Sequence, residues 1–103
     1  LPVTVILMNN HHLGLVRQQQ ELFYSRNYMA SKFEWHPDFS ALAIDFGIPS
    51  LDLDKPEKID EMIKESIHCE GPCLLHVPVD PKENVLPMVA PGAANSEMIG
   101  GEV

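Results

Sequence analysis

Val3-Thr4-Val5-Ile6-Leu7-Met8-Asn9-Asn10-His11-His12-Leu13-Gly14-Leu15-Val16 is the stretch that decides the fold. Its first six residues are β-branched at four positions and apolar at five, with no alternation. That pattern predicts a strand buried on both faces, as at the centre of a parallel sheet. Asn9-Asn10-His11-His12 breaks the run with polar groups at the strand's carboxyl end, and from Leu13 the period turns helical. Leu15, Val16, Leu22 and Phe23 share one helical face, with Arg17, Gln18 and Glu21 pointing elsewhere. Gln19 falls on the apolar face, where packing alone would put a Leu; facing solvent is its other reading.

Working outward, Ser25 to Pro37 is aromatic and polar without a period, and reads as a loop. Asp38 caps a short helix carrying Phe39, Leu42, Ala43 and Phe46, which Gly47 stops. Ser50 to Leu53 is a short strand. Asp54-Lys55-Pro56-Glu57 combines a capping-box pattern with Pro in the first turn. The helix that follows places Ile59, Met62, Ile63 and Ile67 inward and ends at Gly71-Pro72. Cys73 to Val79 is a second buried strand. The order β-α-α-β-α-β predicts an α/β fold: a partial doubly wound parallel sheet of three strands with flanking helices, then an extended C-terminal tail. Two units are expected, the sheet domain at 1–79 and the tail at 80–103. A chain that opens straight into a strand, without an initiator Met, is expected to be a piece of a longer one.

The chain has 103 residues, enough for one small domain, and 45% of them are apolar. Lys+Arg 7 against Asp+Glu 15 gives a net charge of −8. That balance argues against nucleic acid, whose phosphates need clustered cations, and against an anionic membrane surface. The longest apolar run is far short of the roughly 20 residues of a membrane span. No secretory signal is visible, so a cytoplasmic protein is expected. Cys69 and Cys73 stand at CxxxC, neither a redox nor a zinc spacing, and read as reduced, partly buried thiols. His11-His12 has no Cys or His at finger spacing to complete a zinc site. His36, His68 and His76 are isolated and read as structural histidines.

In parallel α/β sheets, ligands bind beyond the carboxyl ends of the strands. An amide oxygen, exposed loop carbonyls, a glycine and a helix N-terminus after the first strand suit a hard cation holding a phosphate group. Asn10 would then bind through its side-chain oxygen and His12 through its main-chain carbonyl. The same residues also read as a plain turn, and spacing alone leaves both readings open.

Val5-Ile6-Leu7-Met8-Asn9-Asn10-His11-His12-Leu13-Gly14-Leu15-Val16-Arg17-Gln18-Gln19-Gln20 resembles the second half of the thiamine diphosphate motif in the catalytic subunit of acetohydroxyacid synthases (acetolactate synthases). Asp80 to Met98, with Pro87-Met88-Val89-Ala90-Pro91-Gly92-Ala93, resembles the carboxyl terminus of the same family. The resemblance implies Mg²⁺ ligation by the Asn10 side chain and the His12 main chain, with Gly14 against the diphosphate. Leu15 would be the apolar wedge that bends the cofactor, and Val16 would flank the cofactor and substrate pocket. Gln19 departs from the family's common Gln-Trp-Gln or Gln-Trp-Glu. There the Trp shapes the substrate pocket for the second oxo acid and contacts sulfonylurea-type herbicides. Gln19 therefore implies little bias towards 2-oxobutyrate over pyruvate and reduced herbicide sensitivity.

The resemblance further implies a parent that condenses a two-carbon unit from pyruvate with a second pyruvate or with 2-oxobutyrate, on the path to branched-chain amino acids. Such parents are homo-oligomers of catalytic subunits, carry FAD, and work with a regulatory small subunit. A Gly-Asp-Gly segment holding the third Mg²⁺ ligand, and a Glu that activates the cofactor, would lie outside these residues. The chain alone is accordingly expected to be inactive, with no catalytic residue of its own. Two rivals are a different thiamine diphosphate enzyme, of the pyruvate oxidase or glyoxylate carboligase type, and a non-catalytic module that binds a nucleotide or a partner.

Overall fold

Three parallel strands form the frame in the computed structural model, which describes residues 1–101; positions 102 and 103 of the expected tail lie outside the described residues. The strands are β1 (Thr4–Asn9), β2 (Ser50–Asp52) and β3 (Cys73–Pro78), in spatial order β1-β3-β2. All three run parallel, with Ile6 and Leu51 both opposite Leu75. The helices are α1 (Gly14–Phe23), α2 (Phe39–Asp45) and α3 (Ile59–Ile67).

The α/β order is as expected, but the centre of the sheet is β3, not β1. Cys73 and Leu75 are buried, whereas Val5, Ile6 and Met8 of β1 are each about half exposed or more. The cause is topological: β1 is paired on one side only, and the main helix–sheet packing is that of α2 and α3 against β2 and β3. The two helices take opposite faces. Phe39 of α2 lies 5.9 Å from the ring of His76, and Thr4 Oγ1 on the other face donates to the Ser66 carbonyl of α3 at 2.8 Å.

Local chemistry sets the helix ends. Asp38 accepts the Ala41 N–H at 2.9 Å, as its capping role predicts. Gly47, at φ +73, is the left-handed stop of α2: its N–H reaches the Ile44 carbonyl and that of Ile48 reaches Ala43. This double closure takes up two of the carbonyls a helix end leaves free. The capping box at Asp54 does not form. Lys55 stands at the N-cap without a side-chain bond, and Pro56–Lys58 makes a 3-10 turn that leads into α3. Met62 and Ile63 are half-buried as expected, but Ile59 and Ile67 are exposed and the small Ser66 is the buried residue of α3. A helix this close to the sheet admits a Ser where an Ile would not fit.

The tail is not simply extended. β4 (Met88–Val89) and β5 (Met98–Ile99) pair antiparallel within it. Among the described residues no helix is long and apolar enough to cross a membrane.

Both cysteines are free thiols, Cys69 half-buried and Cys73 buried. Burial, reinforced by the neighbouring Cys69 and Glu65, pushes the Cys73 thiol from 9.0 up to about 11. The thiolate is the nucleophile, so alkylation of the native protein near neutral pH should label Cys69 well before Cys73. Mass mapping of the modified residues checks this; Cys73 labelled first would contradict it. A proton retained in the fold up to about 11 but lost from 9.0 in the unfolded chain makes this contribution to stability present below 9.0. It fades as pH rises through about 11.

Candidate functional site

The carboxyl end of β1 turns into α1 within four residues, Asn10 to Leu13. His11 takes the left-handed conformation, φ +57, which costs a residue other than glycine about 1–2 kcal/mol. Three bonds hold this turn. The His11 N–H donates to Asn9 Oδ1 at 3.0 Å, the His12 N–H donates to Asn10 Oδ1 at 3.0 Å, and His12 Nδ1 lies 2.9 Å from the Asn10 carbonyl. The loop before α2 then clasps the turn from outside. Leu13 N–H donates to Ser31 O at 2.8 Å and Phe33 N–H to His11 O at 2.9 Å.

Two oxygens stay available on this turn. Asn10 Oδ1 has used one lone pair, and no donor among the described residues takes the main-chain oxygen of His12. The ring of His12 is engaged with the main chain through Nδ1, so His12 offers its carbonyl first. Gly14 is tied to the same geometry. A Cβ there would stand 2.5 Å from Asn10 Nδ2, so only glycine lets the Asn10 side chain lie across the helix N-terminus. A pocket of about 340 Å³ opens beside the turn, lined by Asn10, His12, Trp35 and Phe39 among others, with no carboxylate among the described residues on its walls.

The donor set is an amide oxygen and a carbonyl oxygen. Such a pair suits a hard cation that takes most of its ligands from elsewhere, as Mg²⁺ does when it bridges phosphates. Among the described residues there is no group of three His, Cys, Asp or Glu placed to hold a metal. His11 instead packs its ring edge on His36, 4.3 Å away, and His36 stacks on Phe39 at 5.5 Å.

The model matched by residues 1–77 is that of thiamine pyrophosphate enzymes, C-terminal TPP binding domain. The chain belongs to this family. Over 97% of its length it is also 45% identical to the acetolactate synthase isozyme 1 large subunit of Escherichia coli (strain K12), covering 18% of that protein. It is 40% identical over 96% of its length to the isozyme 2 large subunit of the same organism, covering 18%. To the mitochondrial acetolactate synthase catalytic subunit of Saccharomyces cerevisiae it is 42% identical over 95%, covering 14%. This thiamine pyrophosphate-binding domain therefore spans under a fifth of the length of the curated relatives it matches.

Helix α1 of the domain is turned the other way from expectation. Leu15 is 59% exposed and Val16 43%, and Leu22 and Phe23 are open too, while Gln18 is 2% exposed. Gly14, Arg17, Gln18 and Glu21 make the inward stripe. Gln18 accepts the Val85 N–H at 2.8 Å and donates to the Val85 carbonyl at 2.9 Å and to Met88 Sδ at 3.0 Å. Arg17 pairs with Glu21 at 2.8 Å and lies 4.8 Å over the Tyr28 ring. The polar stripe is inward because its partners are main chain and loop, not the sheet. Gln19 is half-buried rather than solvent-facing, in a groove of about 280 Å³ with Val16, Gln20, Tyr24, Asn27 and Met29. On the opened face, Val16 lines the groove that holds Gln19, whereas Asn10 and His12 line the pocket beside the turn.

Sequence reasoning missed Gln18, Asn9, Asp52 and His76. The Gln18 signal was a glutamine inside a helix otherwise rich in them, and nothing local marks which one is buried.

Proposed function

We propose that this domain belongs to the catalytic subunit of an acetolactate synthase, in which the turn after β1 holds the Mg²⁺ of thiamine diphosphate. Asn10 would bind the ion through Oδ1 and His12 through its main-chain oxygen. Gly14 would admit the diphosphate at the helix N-terminus, where backbone N–H groups favour an anion. When bound, thiamine diphosphate supplies the stabilisation of the carbanion that remains when an oxo acid loses carbon dioxide. The chain's own contribution is to place and orient: the exposed apolar pair Leu15 and Val16 would lie against the cofactor and the substrate pocket. The observation that carries the reading is a carbonyl oxygen and an amide oxygen with a lone pair left, beside a glycine that nothing larger could replace without moving Asn10. The likeness to the acetolactate synthase subunits over nearly the whole chain supports the reaction class.

The substrates would be pyruvate, as donor, and a second pyruvate or 2-oxobutyrate as acceptor. FAD, the homo-oligomer and a regulatory small subunit belong to the same proposal. The division into a sheet domain at 1–79 and a separate tail from 80 does too. The domain by itself would be inactive, because the Asp that completes the Mg²⁺ site and the Glu that activates the cofactor would come from outside these residues, and the described residues lining the pocket beside Asn10 and His12 include no carboxylate. The test is calorimetric titration of the full-length protein with thiamine diphosphate, with and without Mg²⁺, followed by product analysis on pyruvate alone. Mg²⁺-dependent binding and 2-acetolactate are expected. Binding indifferent to Mg²⁺, or oxidation of pyruvate to acetate or acetyl phosphate when an electron acceptor is supplied, would refute it.

Gln19 would line the pocket for the second oxo acid, and its place in the groove beside Val16 supports this. A Gln loosens an apolar wall, and one methylene in a snug pocket is worth about 1–3 kcal/mol. Gln19→Trp should therefore raise the preference for 2-oxobutyrate over pyruvate by about 10-fold, and sensitivity to sulfonylurea-type inhibitors with it. Competition of the two acceptors in the full-length enzyme measures it, and an unchanged product ratio would remove Gln19 from the pocket.

A further inference from the structure

Asn9 and Asp52 end β1 and β2, and His76 stands two residues before the end of β3. The parallel register sets Asp52 opposite His76, so three strands bring three polar side chains to one carboxyl edge. The proton positions follow from one group with no freedom, the His11 main-chain N–H, which only donates. Its acceptor is Asn9 Oδ1, at 3.0 Å. Asn9 must then turn Nδ2 towards His76 Nε2, 3.0 Å away, and an amide NH₂ only donates. Nε2 is therefore the acceptor of the ring and Nδ1 carries the proton. Nδ1 faces Asp52 Oδ1 at 2.9 Å, and a carboxylate only accepts. Every donor meets an acceptor along the chain, and the bond between Asp52 and His76 joins a carboxylate to a neutral imidazole. Phe39 covers the ring from the α2 side and the His76 side chain is 13% exposed, while the Asp52 carboxylate, 52% exposed, meets Nδ1 from the solvent side.

We propose that Asp52 and His76 are positioning residues for the cation turn. They hold Asn9 in the one amide orientation that receives the His11 N–H. That fixes His11 in its left-handed conformation, and so sets where Asn10 Oδ1 and the His12 carbonyl stand. The inference rests on the reading of those two oxygens as Mg²⁺ ligands. Partners one step behind metal ligands commonly cost about 10–100-fold in affinity when removed, and Asp52, which acts through His76 and Asn9, belongs at the low end of that range.

The test is the Mg²⁺ concentration for half-maximal thiamine diphosphate binding by the full-length protein, read beside its unfolding temperature without ligand. Asp52→Ala is expected to raise that concentration by about 10-fold with little change in unfolding. Asp52→Glu, which keeps a carboxylate for Nδ1, should recover most of the loss. Asn9→Ala should cost at least as much as Asp52→Ala, and the double variant no more than Asn9→Ala, since Asp52 acts through Asn9. Asp52→Ala with the wild-type Mg²⁺ dependence would overturn the inference while leaving the functional reading standing. So would losses that multiply in the double variant, or an unfolding temperature that falls while Mg²⁺ dependence holds. A wild-type protein that shows no Mg²⁺-dependent binding would overturn the functional reading, and this inference with it.

Discussion

Asn10→Ala in the full-length protein is expected to weaken Mg²⁺-dependent thiamine diphosphate binding by about 100-fold or more, since a ligand should cost no less than the partners behind it, which contribute about 10–100-fold. The variant removes one of the two oxygens that the turn after β1 leaves available among the described residues, and the remaining His12 carbonyl loses its support as well. The His12 N–H, which now donates to Asn10 Oδ1 at 3.0 Å, would turn to water at a cost to the fold of about 1 kcal/mol. Binding and stability should thus separate widely. Gly14→Ala gives a sharper form of the same test, because its two effects have opposite signs. Alanine in place of glycine favours a helix by about 0.8–1 kcal/mol, so the fold should hold or gain. Its Cβ would meet Asn10 Nδ2 at 2.5 Å. The flexible end of the Asn side chain can swing away, but it then carries Oδ1 out of place, and affinity should fall by about 10-fold or more. Titration calorimetry and thermal unfolding on both variants decide the matter. A Gly14→Ala protein that binds as the wild type does would show that Asn10 does not hold the ion from this position.

The order of elements was legible because the chain punctuates itself. Apolar runs mark β1 and β3, Asp38 and Gly47 bracket α2, and Gly71-Pro72 separates α3 from β3. The turn at the end of β1 was legible for a similar reason, since two Asn between a strand and a helix mark a turn, but spacing alone could not say whether its oxygens also hold a cation. Neighbouring residues could not tell which strand is central. β1 and β3 are both mostly apolar, and only pairing on both sides, with helices on both faces, buries Leu75 while Ile6 stays half open. His76 looked like an isolated histidine for the same reason. Its partners lie 24 and 67 residues away and come to it only through the sheet register. Helix α1 was misread on one assumption, that an apolar stripe packs inward. Here the stripe Leu15, Val16, Leu22 and Phe23 stays open. The reading of the parent supplies a use for the first two, as surface for a cofactor, so the part of α1 that breaks the packing rule coincides with the proposed site.

Gln18 shows how a polar residue can hold a helix when its stripe does not face the sheet. Gln18→Leu is expected to release residues 85–88 from α1 without unfolding the sheet. The Gln18 amide satisfies both the N–H and the carbonyl of Val85, and Leu can satisfy neither. Leaving those two groups buried would cost about 1–3 kcal/mol each, whereas lifting the segment into water costs only the contacts it gives up. Val85 is already 73% exposed, so the second course is the cheaper. Native-state hydrogen exchange should show the Val85 amide protected in the wild type and exchanging at least about 10-fold faster in the variant, as expected of a local opening worth 1.4 kcal/mol or more. The amides of β3 should be unaffected. Gln18→Glu refines the argument: a carboxylate still accepts the Val85 N–H but no longer donates to the Val85 carbonyl or to Met88. Its protection should therefore be poor near neutral pH and recover in acid, where the protonated side chain regains a donor. If Val85 exchanges at one rate in all three proteins, the tail is held by something other than Gln18, and the inward turn of α1 needs another cause.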